Sequence, residues 1–204
     1  MNDVSAADVK KLRDRTGAGI MDCKAALAEA GGDVDKAIEV LRVKGQASAA
    51  KRSGRATSEG VVTSYIHATG KVGVLVEVQC ETDFVARGDE FREFAQEVAI
   101  HIAGSPTPPL YVSAEEIPDE AREAERRVSE AKAKEEGKPE EVVGKIVEGQ
   151  LAKWEKEVSL LGQEHIRSDH HEGKTIEDLR AELAARTGEN VRIARFAKFV
   201  VGEE

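Results

Sequence analysis

Apolar positions in the first 45 residues recur at intervals of three and four, which is the spacing that predicts amphipathic helices. Ser5 begins a capping-box-like sequence, so a first helix is predicted there, and the Gly-Ala-Gly segment at 17–19 ends it. After a second helix, Asp33 is suited to cap a third, which is predicted to end at Gly45. The pattern therefore predicts a three-helix domain over residues 1–45.

The pattern changes beyond this domain. Residues 46–58 are small and basic and lack an apolar stripe, which predicts a basic linker with some helical character. Next, β-branched residues dominate two runs, 61–66 and 72–78, and the turn between them predicts an antiparallel hairpin. A third run, 190–200, alternates apolar and basic residues and predicts a half-buried strand that joins the hairpin.

The chain between the second and third strands is predicted to be helical. The first helix, over 89–103, can cover one face of the sheet with an apolar stripe made of Phe91, Phe94, Ala95, Val98 and Ile102. Two highly charged helices then predict an antiparallel hairpin at about 115–160. Its seam is predicted to consist of Ala121, Ala124, Val128, Ala131, Val143, Val147, Leu151, Trp154 and Val158. Residues 59–204 are thus expected to form an α+β core, in which helices cover a small antiparallel three-stranded sheet and this hairpin protrudes.

Charge and composition argue against some classes of partner. The 204 residues include 30 Lys and Arg against 39 Asp and Glu, a formal net charge of −9, and only 4% are aromatic. Tracking nucleic-acid phosphates needs a positive surface and base stacking needs aromatic rings, so no nucleic-acid partner is expected. No apolar run approaches the roughly 18 residues that a membrane span needs. The start carries no targeting signal, and Cys23 and Cys80 are expected to stay reduced, so we expect a cytoplasmic protein without a membrane partner.

Catalytic motifs are absent from the sequence. It contains no Gly-rich phosphate loop after a strand, no nucleophile elbow and no zinc-protease motif. Cys80 has no histidine close in sequence to activate it. The best metal candidates, whose spacing matches no closed structural site and instead predicts a polar loop, are His165, Asp169, His170, His171 and Glu172. We therefore expect no catalytic residue, no metal and no cofactor, and the protein is not expected to be an enzyme.

The turn that follows the second strand has an unusual composition. It reads Thr82-Asp83-Phe84-Val85, and a new helix begins shortly after it. In one interpretation, Asp83 caps that helix and Phe84 packs into the core. In the other, the turn presents an aromatic side chain beside an acid to a partner.

Three motifs resemble the bacterial elongation factor Ts family. The first is LRDRTGAGIMDCKAAL at 12–27, followed by Gly32-Asp33 and by the stretch from Ala37-Ile38 to Gly45. The second is EVQCETDFVA at 77–86. The third runs from GKP at 137–139 to VEGQ at 147–150 and continues with EVSL at 157–160. The first two are highly specific, and together the motifs span nearly the whole chain. The resemblance implies a ubiquitin-associated-like amino-terminal domain and a guanine-nucleotide exchange factor for elongation factor Tu.

The resemblance also implies roles for particular residues. Arg13, Ile20 and Met21 fall where the amino-terminal domain docks on the G domain of elongation factor Tu. The turn of Thr82, Asp83, Phe84 and Val85 is expected to enter that G domain near its Mg²⁺ site. Phe84 would wedge between two helices there, the ion would be lost, GDP would leave, and GTP would then displace the factor.

Two further expectations concern assembly and the competing functions. The chain resembles the short form of the family, in which two copies pair, so a homodimer is expected. One alternative function is a passive binding module of helices on an α+β scaffold that holds a partner without changing its affinity for nucleotide. Another is a metal-dependent enzyme that uses the histidine-containing segment.

Overall fold

The computed structural model describes residues 4–203 and has an α+β architecture in which the antiparallel sheet has the order β1-β2-β3. Its helices and strands are α1 (Ala6–Thr16), α2 (Ile20–Glu29), α3 (Val34–Arg52), β1 (Glu59–Ile66), β2 (Val72–Cys80), α4 (Asp83–Arg87), α5 (Asp89–Gly104), α6 (Asp119–Glu135), α7 (Glu140–Val158), α8 (Ser168–His171), α9 (Ile176–Thr187) and β3 (Arg192–Val200). The predicted α+β class with a three-stranded antiparallel sheet is confirmed, as is the central position of β2. The prediction that no targeting signal is present draws on residues 1–3, which lie outside the described range, as does Glu204.

The described residues fall into two compact units. The first comprises the chain up to Thr63, Glu77–Gln96 and Asp178–Ala194, and the second comprises Ser64–Val76, Glu97–Glu177 and the chain from Arg195 onward. The first unit therefore contains the three amino-terminal helices, α4, the start of α5 and most of α9. The predicted domain boundaries, at residues 45 and 58, concern separable domains and stay predictions.

Local signals explain the amino-terminal helices. The Ser5 hydroxyl accepts a hydrogen bond from the Asp8 N–H at 3.1 Å, and Asp33 caps α3 in the same way. The three helices share one small core made of Leu12, Cys23, Ala26, Leu27 and Ala37. Helix α3 runs through Gly45 to Arg52, however, so the end predicted for it at Gly45 is wrong.

Helix α5 carries the buried stripe that the sequence predicts. Phe91, Phe94, Ala95, Val98 and Ile102 are all buried. In the first unit, the Thr63 hydroxyl of β1 bonds the Gln96 side chain of α5 at 2.9 Å. In the second unit, the Lys198 ammonium of β3 donates to the Ile102 carbonyl at 3.0 Å. Burial and these bonds both agree with the prediction that α5 covers a face of the sheet.

Helices α6 and α7 pack on each other, but the predicted seam is half wrong. On α7, Val147, Leu151 and Val158 are buried as predicted. On α6, the buried residues are Ser129 and Ala133, whereas Val128 is 60% exposed. Arg122 sets this rotation, because its guanidinium donates to the Ile117 carbonyl at 2.6 Å and to the Glu155 carboxylate of α7 at 2.7 Å.

Among residues 4–203, none of the helices is at once long enough and apolar enough to cross a membrane.

Candidate functional site

The turn after β2 is built around Thr82. This residue has an extended backbone, and its hydroxyl accepts a hydrogen bond from the Val85 N–H at 3.4 Å, which caps the short helix α4. Asp83, one residue on, instead forms an exposed ion pair with Arg87 at 3.0 Å. The interpretation in which Asp83 is the cap is therefore wrong.

Phe84 is the feature that sets this turn apart. Its side chain is 83% exposed, whereas Ala86 in the same helix and Phe91 at the start of α5 are buried. Burial of a Phe side chain is worth roughly 1.5–3 kcal/mol, so an exposed ring leaves that free energy unused in the folded chain. The interpretation that places Phe84 in the core is therefore wrong, and the ring is available to a partner.

Two side chains hold the start of the turn, where the chain leaves β2. The Cys80 thiol donates to the Thr82 carbonyl at 3.2 Å. The Glu189 carboxylate accepts from the backbone N–H groups of Glu81 and Thr82 at 3.0 and 3.1 Å, and from the Thr82 hydroxyl at 2.6 Å. No sequence motif points to Glu189, which is 107 positions from Thr82. Its one sequence signal is its place directly after the helix-ending Gly188.

Cys80 is not suited to act as a nucleophile. Its side chain is fully buried, and burial, followed by the negative charge of Glu189, raises the pKa of the thiol to about 11. The thiol is therefore protonated at neutral pH, while the thiolate is the reactive species. Burial also raises the pKa of Cys23.

A second exposed apolar feature lies at the start of α2. Ile20 and Met21 are 56% and 75% exposed, and Arg13 of α1 is exposed as well. One turn further along α2, Cys23 faces the core. Helix α2 therefore presents two large apolar side chains to solvent on the side that does not pack against α1 and α3.

The prediction of a solvated loop for the histidine-containing segment is wrong for His165 and His171. His165 is fully buried, and its ring, the half-buried His171 ring and the Glu97 carboxylate of α5 form a group. The Glu97 Oε2 atom lies 3.5 Å from His165 Nε2 and 3.4 Å from His171 Nε2. Asp169, His170 and Glu172 are exposed and are not among the members of this group.

Hydrogen bonding in this group disfavours metal binding. The Nδ1 atom of His165 accepts a backbone N–H of Arg167 at 3.2 Å, so the hydrogen of the neutral ring is on Nε2, which faces Glu97. A protonated Nε2 cannot ligate a metal. The Arg167 guanidinium also lies 2.6 Å from the Glu97 carboxylate. His165, His171, Glu97 and Arg167 thus form a hydrogen-bonded group, called here the histidine network.

Comparisons with known proteins agree with the motifs. A family model described as "Elongation factor TS" matches residues 5–172. The elongation factor Ts of Caldanaerobacter subterraneus is 53% identical over 200 residues, which cover 98% of each chain. That of Solidesulfovibrio magneticus is 52% identical over 204 residues, which cover 100% of each chain. That of Geobacter sp. strain M21 is 52% identical over 200 residues, which cover 98% of this chain and 90% of the relative.

The resemblance predicted from the three motifs is thus confirmed over a range that includes the three amino-terminal helices, the turn after β2 and the α6–α7 pair. Because the family model matches most of the chain, and because these relatives are more than half identical along nearly their whole length, the chain belongs to the elongation factor Ts family.

Proposed function

We propose that the chain is a guanine-nucleotide exchange factor for elongation factor Tu, and that the turn of Thr82, Asp83, Phe84 and Val85 drives the release of GDP. The observation that carries this proposal is the 83% exposure of Phe84 on a turn whose first residue, Thr82, is held by Cys80 and Glu189. The factor binds the GDP-bound partner, promotes loss of the partner's Mg²⁺ and of GDP, and is displaced by GTP.

The mechanism requires no catalytic side chain. Mg²⁺ bridges and neutralises the nucleotide phosphates, so its loss weakens the binding of GDP to the partner. Phe84 supplies the driving force when its ring leaves water and enters an apolar space in the G domain. Because binding is reciprocal, a factor that loosens nucleotide is itself loosened by nucleotide, which explains displacement by GTP.

Docking and exchange are assigned to different residues. Ile20 and Met21, together with Arg13, offer the amino-terminal helices an exposed apolar contact with an adjacent positive charge. This contact binds the loaded and the empty partner alike, so it sets affinity. Phe84 acts only where the nucleotide site is distorted, so it sets the rate of release.

The test is the release of labelled GDP from elongation factor Tu at increasing concentrations of the factor. Phe84→Ala removes apolar burial of roughly 1.5–3 kcal/mol, so the maximal rate should fall about 10- to 150-fold. Met21→Ala should raise the half-saturating concentration and leave the maximal rate unchanged. Val128→Ala, which truncates an exposed apolar residue of α6, is the matched control. A wild-type chain that binds the partner without accelerating release would establish the passive binding module instead.

A homodimer is proposed on the resemblance to the short form, with a second copy covering an apolar groove of the second unit. Ile66, Leu75, Phe199 and Val201 are exposed and line this groove. Lys198 points at α5, so its neighbour Phe199 points away from that helix. Small sheets with one open apolar face usually need a cover.

Light scattering should give about twice the chain mass of 22.1 kDa, and Phe199→Glu should restore the single-chain mass. Wild-type protein of single-chain mass at micromolar concentration would exclude the dimer.

The finer architecture and the location are proposals as well. Residues 1–45 are proposed to act as a ubiquitin-associated-like docking domain on the 46–58 linker, and the α6–α7 hairpin is proposed to protrude from the 59–204 core. Deletion of the outer half of the hairpin at Gly137 should then leave cooperative unfolding intact. The cytoplasm is the proposed location.

A further inference from the structure

We propose that Glu189 is a positioning residue for nucleotide exchange, because it fixes the Thr82 turn so that Phe84 is held out for insertion. This inference rests on the exchange role proposed above for Phe84. All the residues concerned belong to the first unit.

Glu189 lies in the connection between α9 and β3. It follows Gly188, whose φ of 74° turns the chain sharply away from the axis of α9. The Oε2 atom of Glu189 accepts from two consecutive backbone N–H groups, those of Glu81 and Thr82, and the Oε1 atom accepts from the Thr82 hydroxyl. Three donors therefore converge on one carboxylate at the point where the chain leaves β2.

A reciprocal contact strengthens this arrangement. The Glu81 carboxylate accepts from the Asn190 N–H at 2.6 Å and from the Arg55 guanidinium at 3.3 Å. Asn190 in turn donates its side-chain amide to the Ser53 and Arg55 carbonyls at 3.2 and 2.9 Å. The connection that carries Glu189 is thus itself fixed, so its carboxylate is held in place before it meets the turn.

Thr82 transmits the constraint to Phe84. Its hydroxyl donates to Glu189 and accepts from the Val85 N–H, and its carbonyl accepts from the Ala86 N–H at 3.2 Å and from the Cys80 thiol. The N–H, hydroxyl and carbonyl of Thr82 are therefore all engaged. Because Phe84 lies in the turn of helix that these bonds define, its backbone direction follows from the position of Thr82.

An ordered turn favours the insertion of the exposed Phe84 ring into the partner. A ring on a loose turn would lose conformational entropy when it inserts, and this cost would raise the free-energy barrier to GDP release. Because Glu189 orders the turn during folding, most of that entropy is already lost before the partner is met. A carboxylate suits this position better than an amide, because three donors converge there and an amide would offer a donor to the Thr82 hydroxyl.

The experiment measures GDP release from elongation factor Tu with the full-length chain and the variants Glu189→Ala, Glu189→Gln, Phe84→Ala and Phe84→Ala/Glu189→Ala. Glu93→Ala, which removes an exposed carboxylate of α5, is the matched control for charge. We expect Glu189→Ala to lower the maximal rate about five- to tenfold at an unchanged half-saturating concentration, because weaker hydrogen bonds to water replace the three charge-assisted bonds that hold the turn. Glu189→Gln keeps one acceptor but turns a donor towards the Thr82 hydroxyl, so it should lower the maximal rate less, about two- to threefold. Glu189→Ala should have no further effect once Phe84 is absent.

The outcomes separate this inference from the proposed function. If Phe84→Ala slows release and Glu189→Ala does not, Glu189 has no positioning role and the wedge stands. An equal loss with and without Phe84 would show that Glu189 acts by another route and would also overturn the inference. If Phe84→Ala itself leaves release unchanged, the wedge and the inference both fall. Should Glu189→Ala melt below the assay temperature, Glu189→Gln and the hydrogen-exchange rate of the Thr82 amide decide: an unchanged maximal rate or an unaltered amide overturns the role.

Discussion

The turn after β2 and the histidine network depart from the usual burial of side chains in opposite directions. The turn leaves the aromatic ring of Phe84 in water. The network extends to His101, whose ring centroid lies 5.4 Å from that of His165, and both rings are in the interior, where each is 1% exposed. Large apolar groups usually prefer the interior and titratable groups the surface, so each region needs a physical explanation.

The two regions differ in whether the groups that interact with their side chains lie within the same chain. In the network, His101 accepts the Ile166 N–H on Nδ1 at 3.2 Å and bonds the Gln163 side chain through Nε2 at 2.8 Å. Its polar atoms are therefore satisfied within the chain, and the network stabilises the fold. Phe84 has no comparable burial in the folded chain, although the turn beneath it is firmly held. A buried polar cluster whose hydrogen bonds are all made within the chain thus indicates a role in stability. An exposed aromatic ring on an ordered turn indicates a role in binding a partner.

The largest expected effect contrasts two phenylalanines close in sequence. Phe91 is 1% exposed, and Phe91→Ala should lower the free energy of unfolding by about 3–5 kcal/mol, since it leaves a cavity in the core. Phe84→Ala should change it by less than about 0.5 kcal/mol. Urea denaturation of both variants makes the comparison. A large loss for Phe84→Ala would place that ring in the core and end the contrast.

The next effect is the dependence of stability on pH. Burial lowers the pKa of His101 from 6.5 to about 4, and burial lowers the pKa of His165 as well. Between these values the unfolded chain binds a proton that the folded chain does not, so stability is lost as the pH falls from 6.5 towards 4. For His101 the loss is roughly 3 kcal/mol.

Denaturation at several pH values, with His101→Asn and the exposed His67→Asn as matched variants, tests this expectation. His101→Asn should be less stable at neutral pH but should lose less stability on acidification. His67→Asn should follow the wild type. Identical slopes for His101→Asn and the wild type would show that the network is not the source of the acid sensitivity.

A smaller effect tests the corrected seam of α6. Ala133 is buried and Val128 is 60% exposed on the same helix. Ala133→Leu should overpack the contact with α7 and destabilise the chain by about 1–3 kcal/mol, whereas Val128→Leu should change stability by less than about 0.5 kcal/mol. Thermal melting distinguishes the two, and the reverse order would restore the seam predicted from the sequence.

The smallest expected effect concerns Asp83, the acidic neighbour of Phe84. Its exposed ion pair with Arg87 is worth about 1 kcal/mol or less. Asp83→Ala should therefore lower the maximal rate of GDP release about fivefold at most and leave the melting temperature nearly unchanged. Loss of exchange as large as that of Phe84→Ala would assign the main contact to the carboxylate instead of the ring.

Periodicity and caps were sufficient for most of the elements. Ser5 and Asp33 cap the helices for which the sequence predicted them, and the stripe of α5 is buried. These signals are local, because a hydroxyl or carboxylate beside three free N–H groups acts within one turn. The specific motifs were sufficient to predict the family, which the comparisons confirm.

Local signals failed where a distant segment decided the outcome. Gly45 should weaken a helix by about 1 kcal/mol, yet α3 continues through it. In the first unit, the Gln46 side chain bonds the Asp178 carboxylate of α9 at 2.7 Å, and the Arg42 guanidinium lies 3.6 Å from the same carboxylate. These contacts of α3 with α9 stabilise the extra turns. On α6 the contacts of Arg122 with Ile117 and Glu155 likewise outweigh the apolar spacing.

The sequence by itself predicted most of the helices, the three strands, the family and the turn that carries Phe84. Only the tertiary structure decided that Glu189 holds the turn and that Glu97 joins His165 and His171. The reason is distance along the chain, since Glu189 is 107 residues from Thr82 and Glu97 is 74 from His171. A pattern reports what a residue does within its own helix or strand, whereas hydrogen bonds between side chains depend on which elements the fold brings together.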